Sequence, residues 1–270
     1  MSAEIIKISA NDDIFNTSQY LNDRLIFNYI EGARQNSSSE FYSDGKRVII
    51  YRKKDCKSIC ICTDNDVQND VEIVIAIART VMGFGITGLE FFTKPNFAQT
   101  FSDMYALVSN DLDYQIKSEF SLGAYRFSGN KLPDNDTVSV VRYNSEFDNA
   151  LLNFYMELKD EFNWSEDKVN TMVEIYALLN TYLLLKNSEI MSVCVIKDDY
   201  DKFSSIRSVA TKYSERNKGY ATILTNISST IHSKNGNSIT LYTNDGNISA
   251  VTAFKKAGFE LVGKVHLIKS

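Results

Sequence analysis

Apolar and polar positions recur along this chain with two periods, about two and about three to four residues, and the period switches many times. The second half is the sharper. Thr137–Tyr143 alternates as a half-buried strand does. Phe147, Leu151, Phe154, Tyr155 and Leu158 fall on one helical face, predicting a helix capped by Ser145 and running to about Asp160. Ser165-Glu166-Asp167-Lys168 opens a second helix, to about Leu179. Tyr182–Lys186 and Ile190–Lys197 predict a hairpin around Asn187-Ser188-Glu189. Then follow a strand (Ile206–Tyr213), a helix (Gly219–Ser233), a strand (Ser238–Thr243), a helix (Asn247–Lys256) and a last strand (Phe259–Ile268). The predicted order is β-α-α-β-β-β-α-β-α-β.

The first half reads as a second α/β domain with weaker punctuation. A helix is expected over Thr17–Arg34, and a hairpin from Lys46–Lys53 and Lys57–Thr63 turning at Lys54-Asp55-Cys56. Asn69–Met82 reads as a buried helix, Leu89–Thr93 as a strand, Asn96–Asn110 as a helix and Tyr114–Phe127 as one or two strands. The polar run Ser128–Asp136, with Pro133, reads as a linker. The expected domains are therefore 1–130 and 137–270, joined by 131–136. Gly83-Phe84-Gly85-Ile86-Thr87-Gly88 has the spacing of a dinucleotide-binding glycine loop but follows a helical pattern, which suits a helix C-terminal turn instead.

Composition narrows the classes. The 270 residues carry a net charge of −5, so the chain lacks the overall basic footprint of a nucleic-acid binder. No apolar run approaches the ~20 residues that cross a bilayer, and no cationic-then-apolar leader opens the sequence; a cytoplasmic protein is expected. Cys56, Cys60 and Cys62 have no partner cluster for zinc, so reduced thiols beside a strand, and no metal, are expected. His232 sits late in a polar helix and reads as surface.

The candidate chemistry lies where a strand runs through Val209, Ala210 and Thr211 into a polar loop and a helix starts near Gly219. A helix N-terminus offers unpaired N–H groups with the positive end of the macrodipole behind them, and binds phosphates readily. Gly219 and the small Ala221 let an anion approach. Between Ser205 and Ala221 stand four basic residues, Arg207, Lys212, Arg216 and Lys218, against one acidic residue, Glu215. An ordinary surface loop fits those residues equally well. A second segment changes the balance: Asn247 as a helix N-cap and Gly258 as its stop follow about one strand later.

Taken together, the two segments resemble the GNAT (GCN5-related N-acetyltransferase) superfamily. Arg216-Asn217-Lys218-Gly219-Tyr220-Ala221 is similar to the family's Q/R-x-x-G-x-G/A signature, and Asn247, Ala250, Phe254, Lys256, Gly258 and Phe259 to its later pattern. The resemblance covers about Thr137 to Ser270. It implies the GNAT acyl-CoA N-acyltransferase fold there, and a tandem protein whose first unit is a degenerate GNAT-like one. It also implies acetyl-CoA as co-substrate. The diphosphate would lie on Arg216, Asn217, Lys218, Gly219, Tyr220 and Ala221, the pantetheine arm along Val209, Ala210 and Thr211, with Asn247 and Phe254 beside it. The implied reaction is direct transfer of an acetyl group to an amine, small molecule or peptide. Phe254 stands where many members carry a proton-donating tyrosine. The remaining candidates are Tyr242 as acid and His266 as base, although each also reads as a packing residue. A CoA-binding protein without turnover is the alternative. No nucleic-acid or membrane partner is expected; a homodimer is.

Overall fold

A computed structural model describes residues 4–54, 56–85, 90–109, 118–129, 137–199 and 202–269. The expected linker 131–136 lies outside them. The elements are β1 (Ile6–Ile8), α1 (Ser18–Asp23), α2 (Asn28–Ala33), β2 (Ser39–Ser43), β3 (Val48–Lys53), β4 (Ser58–Thr63), α3 (Val71–Met82), β5 (Glu90–Thr93), α4 (Pro95–Ser109) and β6 (Ser118–Phe127). Then come β7 (Ser139–Arg142), α5 (Asp148–Leu158), α6 (Glu166–Ala177), β8 (Asn180–Lys186), β9 (Glu189–Asp198), β10 (Phe203–Thr211), α7 (Tyr220–Ser233), β11 (Ser238–Asn244), α8 (Ile248–Lys256) and β12 (Phe259–Lys269). Short 3-10 turns precede α1, α3, α5 and α7. The same succession of strands, turns and helices therefore runs twice, once through β6 and once through β12.

The chain divides into two compact units, Met1–Ala124 with Val262–Ser270, and Tyr125–Leu261. The last nine residues thus pack with the first unit, where the sequence pattern had left them with the second half. The cause is strand pairing: β12 completes the first unit's sheet by lying antiparallel to β5, His266 opposite Thr93 and Lys269 opposite Glu90.

In the first unit β1, β2, β3 and β4 run antiparallel in order, and β5 lies parallel to β4. Ile59 and Ile61 of β4 enter the core made by α3 and α4, which places Cys60 and Cys62, both buried and unoxidised, on the other face together. The helix expected over Thr17–Arg34 is two short helices, broken between Asp23 and Asn28. β1 and β2 were not foreseen. Gly83 ends α3, as a helix-stop reading requires; residues 86–89 lie outside the described ones.

The second unit has the sheet order β6-β11-β10-β9-β8-β7. The hairpin β8–β9 closes from Lys186↔Glu189 through Asn187 and Ser188, both at positive φ (51° and 64°), the turn geometry that matches strand twist. Helices cover both faces. Tyr182, Cys194, Ile196, Ile239 and Leu241 pack under α7 and α8. Leu183, Val193, Val195 and Ala210 pack under α5 and α6. Asn144, not Ser145, caps the turn that leads into α5, its side chain accepting from the Glu146 N–H. Ser165 caps α6 as predicted. Among the described residues no helix is long and apolar enough to cross a membrane.

α7 is amphipathic in an unusual sense. Its buried side carries Thr225, Asn226, Ser228, Ser229 and His232, while Ile227 and Ile231 are exposed. His232 is therefore buried, against the surface position expected for it. It meets the edge of Tyr182 at 5.8 Å, and both its ring nitrogens are buried without a hydrogen bond. Its Nε2 stands 3.8 Å from Asp198, too far for one. Burial lowers its pKa, with Asp198 opposing and Arg142 adding to the shift. A lowered native pKa means that the unfolded chain binds the proton more readily, so this contribution to stability falls away as pH drops below about 6.5. Thermal melts between pH 7.5 and 5.5 should show a loss of Tm that is smaller in His232→Gln; an identical pH dependence in both would contradict it.

Candidate functional site

β10 is held on one side and released on the other. Against β9 it pairs from Ser204↔Asp198 to Thr211↔Ser192. The Ser192 hydroxyl adds a bond to the Ala210 carbonyl (2.7 Å) and another with the Thr211 hydroxyl (2.9 Å). Against β11 it pairs in parallel at three positions only, Phe203↔Ser238, Ser204↔Ile239 and Ser205↔Thr240. Beyond them the two strands part, β10 continuing to Thr211 and β11 to Asn244. A bulge between Ile206 and Ser208 lies just past the last pair. Bulges bend a strand and increase its twist, which accounts for the parting there. The result is a fork whose β10 side, Ile206–Thr211, turns backbone donors and acceptors toward a missing neighbour.

The fork opens at the carboxyl ends of two parallel strands, where α/β sheets hold their ligands. There Asn217 and Gly219 take positive φ (62° and 80°) and turn the chain into α7. Gly219 is the N-cap and supplies no side-chain hydrogen bond. The first helical bond runs from the Ile223 N–H to the Gly219 carbonyl at 3.0 Å. Among the described residues the N–H groups of Tyr220, Ala221 and Thr222 donate to no acceptor, leaving the positive end of α7 uncapped. A Cβ on Gly219 would meet nothing within 4 Å, so the space before the helix is open and φ alone demands glycine.

Each member of the local basic excess is paired with a carboxylate, two of them with partners far away in sequence. Arg216 pairs with Glu161, donates from Nε to the Thr211 carbonyl (3.3 Å) and lies over the Tyr213 ring (5.2 Å). Lys212 pairs with Glu157 at 3.5 Å, Arg207 with Asp199 at 3.0 Å and Lys218 with Glu215 at 2.9 Å. The Lys218 ammonium holds the Glu215 carboxyl below its usual pKa. Pairs this exposed are worth about 0–1 kcal/mol, so an arriving polyanion can take Arg216 and Lys218 from their carboxylates at little cost. The Arg216 contacts also tie the two ends of the loop together.

The other expected residues divide by role. Asn247 caps α8, its Oδ1 accepting from the Ala250 N–H at 3.1 Å, and is exposed beside the fork's β11 side. Tyr220 and Phe254 are buried, Tyr220 with the Lys186 ammonium 6.0 Å from its ring centre and Phe254 edge-on to Phe259 at 6.2 Å; both side chains serve packing. Tyr242 is half-buried on β11, past the last pair with β10. His266 belongs to the first unit, opposite Thr93, so the two candidate proton carriers stand in different units. Not foreseen were the ties that hold α7: the Asn226 amide donates to the Ala257 carbonyl (3.0 Å), and the Thr222 hydroxyl to the Ala253 carbonyl (3.4 Å). A buried polar position in an otherwise helical pattern is the only sequence signal of them. Among the described residues no His, Cys, Asp and Glu group forms a metal site.

The corresponding place in the first unit, after β4 and before α3, is built differently. β4 and β5 stay paired from Ser58↔Glu90 to Ile61↔Thr93. The intervening loop carries Asp64, Asp66 and Asp70. Asp70 caps α3 by accepting from the Ile73 N–H and pairs with Arg47 at 2.7 Å. Beyond the strand ends the buried Lys94 ammonium meets Asp23 at 2.5 Å and the Asn65 side chain at 3.1 Å. This end is closed and anionic.

The sequence profile of the FR47-like protein family matches residues 182–267, which include both motif segments. No curated protein matches the chain. Several solved structures match it over nearly its whole length. An acetyltransferase of the GNAT family from Colwellia psychrerythraea shares 11% identity, with 98% of this chain and 99% of that one covered, at a TM-score of 0.59. A GCN5-related N-acetyltransferase from Sphaerobacter thermophilus shares 10%, covering 98% and 94%, also at 0.59. A tandem GNAT protein from the clavulanic acid biosynthesis pathway shares 9%, covering 99% and 98%, at 0.52. At such identities the likeness is one of fold. The resemblance to the GNAT superfamily stands, and it extends to the tandem fold.

Because Gly219 sits at φ 80° in open space, its substitution isolates backbone strain. Gly219→Ala should cost about 1 kcal/mol of unfolding free energy in denaturant titration; an unchanged stability would mean that the turn relaxes to negative φ.

Proposed function

We propose that this chain is an acetyl-CoA-dependent N-acetyltransferase with an amine acceptor, its thioester held by the second unit. Acyl transfer is the general chemistry of the GNAT fold that the chain shares. The observation that carries the finer reading is the fork of β10 and β11 ending at an uncapped, glycine-started helix.

In this reading the diphosphate of CoA rests on the free N–H groups at the start of α7, with Arg216 and Lys218 transferred to it from Glu161 and Glu215. The pantetheine arm takes the place of the missing strand along Ile206–Thr211. One N–H of that stretch polarises the thioester carbonyl, a preorganised donor being worth a few kcal/mol in such a step. A neutral amine attacks the carbonyl carbon, the C–N bond forms, the nitrogen gives up a proton to water, the C–S bond breaks and the thiolate leaves. An amine of pKa about 10 must first lose its proton to a base or to water. Phe254 offers no proton to the sulfur, and a thiolate of pKa about 8–9 leaves without one.

The first unit, with its strands paired and its helix capped by Asp70, contributes no second CoA site. Calorimetry should therefore give one CoA per chain. Gly219→Asp, which sets a carboxylate at the phosphate position, should weaken binding by at least about tenfold, or 1.4 kcal/mol. Gly219→Ala, sharing the strain without the charge, should stay within a few-fold of wild type. Equal affinities for wild type and the aspartate variant would overturn the reading.

Phe254 favours one alternative, a protein that binds acyl-CoA without turning it over. Thiol release from acetyl-CoA in the presence of a panel of primary amines separates the two. Release above the amine-free rate is the expected outcome; tight CoA binding with no such release across the panel would transfer the assignment to the binding protein without turnover.

A further inference from the structure

Lys186 ends β8 and belongs to neither motif segment. Tyr182 and Leu184 of the same strand pack with the α7–α8 cluster, so alternation turns Lys186 to that face as well. There its ammonium stands 6.0 Å from the centre of the Tyr220 ring, at the first residue of α7. The Lys212 N–H donates to the Met191 carbonyl (3.0 Å), which ties the loop before α7 to the start of β9. The β8–β9 hairpin, the loop and the positive end of α7 thus gather at one end of the unit.

Lys212, Arg216 and Lys218 each hold a carboxylate there. Lys186 forms no ion pair among the described residues; the Tyr220 ring is its partner. Glu215 is the carboxylate that could have taken it. One Glu215 oxygen accepts from Lys218 at 2.9 Å, while Oε2 is buried and makes no hydrogen bond. The charge of Lys218, then those of Lys186 and Lys212, hold this carboxyl below its usual pKa, so Lys186 is felt by Glu215 without bonding it. An ammonium carries three donors, and those of Lys186 are left for something else. Beside the hairpin a recess of about 250 Å³ opens between Thr137, Val138 and Ser139 on one side and Leu185, Asn187 and Ser188 on the other. Its lining offers hydroxyl and amide groups and no charge. It is smaller than the ~300–1,000 Å³ of a pocket that encloses a whole drug-sized ligand, and suits one end of a longer molecule.

CoA carries a phosphate that the fork does not account for. Its diphosphate joins the pantetheine arm to a ribose whose 3′-oxygen bears a phosphate monoester. With the arm along β10, the ribose leaves the start of α7 on the side away from the fork. The α7 N–H groups, Arg216 and Lys218 are matched to the diphosphate. The monoester, doubly charged above a second pKa of about 6, calls for a cation of its own. Resting on the reading of the fork as the acetyl-CoA site, we propose that the nucleotide end of CoA turns toward the β8–β9 hairpin and that Lys186 binds its 3′-phosphate, with the ribose and base over the recess. Lys186 is then the residue that distinguishes CoA from dephospho-CoA.

Calorimetry with CoA and dephospho-CoA, which differ only in that phosphate, tests this without an acceptor. Wild type should bind CoA at least about fivefold tighter than dephospho-CoA. Lys186→Met keeps an apolar stem on the Tyr220 ring and removes the charge. It should bring the two ligands within about twofold of each other by weakening CoA alone, the unchanged dephospho-CoA affinity also reporting an intact fold. Lys218→Met, at the diphosphate, should weaken both ligands alike. A preference for CoA that survives in Lys186→Met, or no preference in wild type, would overturn the proposal. So would an equal loss of both ligands in Lys186→Met, which would make Lys186 a support of the loop and not a phosphate contact. Failure of wild type to bind either ligand removes the reading of the fork, whereas binding without a preference that depends on Lys186 removes only this inference.

Discussion

The constraint on which the second unit turns is that β10 is bonded along one edge and bare along the other. A strand left unpaired within a sheet is costly, because its backbone groups want partners. Here the cost is confined to Ile206–Thr211, and two devices sustain it. The bulge at the apex bends β10 away from β11. The Ser192 hydroxyl, bonding both Ala210 and Thr211, secures the far end to β9 so that the strand cannot swing back. The fork, the glycine turn and the uncapped helix then follow one another along the chain, so that a single extended ligand with an anionic end can satisfy all three.

The two halves show how little of a fold decides its chemistry. Strand, turn and helix succeed one another identically in both, yet the equivalent ends differ in every property an anion would sense. One helix starts at a glycine without a capping side chain, the other at Asp70, which fills its own N-terminus and is itself paired with Arg47. One strand pair is open, the other paired through the last residue of β5 and closed off by the Lys94–Asp23 pair. Function follows these residues and not the succession of elements.

Much of the second half was legible because its elements carry local signals: Ser165 and Asn247 as caps, Asn187-Ser188 as a tight turn, period-two strands on either side. The candidate anion site was legible for the same reason, since a glycine at a helix start is a local feature. What was not legible is long-range. Nothing in the sequence says that β12 pairs with β5, that β10 and β11 part after Ser205 and Thr240, or that Arg216 and Lys212 meet Glu161 and Glu157 across 55 residues. His232 was misplaced because a helix rich in Ser, Thr and Asn reads as solvated, whereas α7 turns that face inward. The helix expected over Thr17–Arg34 breaks between Asp23 and Asn28 without a proline or glycine to announce it.

The inverted face of α7 bears on the site itself. A helix end attracts an anion only as far as its N–H groups stay aimed at one point, so α7 must be held against rotation. Leu224 packs against the sheet, but apolar packing alone tolerates sliding. Small hydroxylated side chains let the helix come close to the sheet, and directional bonds from Asn226 and Thr222 to the Ala257 and Ala253 carbonyls of α8 fix its rotation. The Ala257 carbonyl, at the C-cap of α8, has no helical partner among the described residues, so the Asn226 bond also satisfies that helix's end; the Ala253 carbonyl accepts from the Ala257 N–H as well. The polar core that hid α7 from a reading by hydrophobicity is thereby what keeps the free N–H groups of Tyr220, Ala221 and Thr222 aimed at the mouth of the fork.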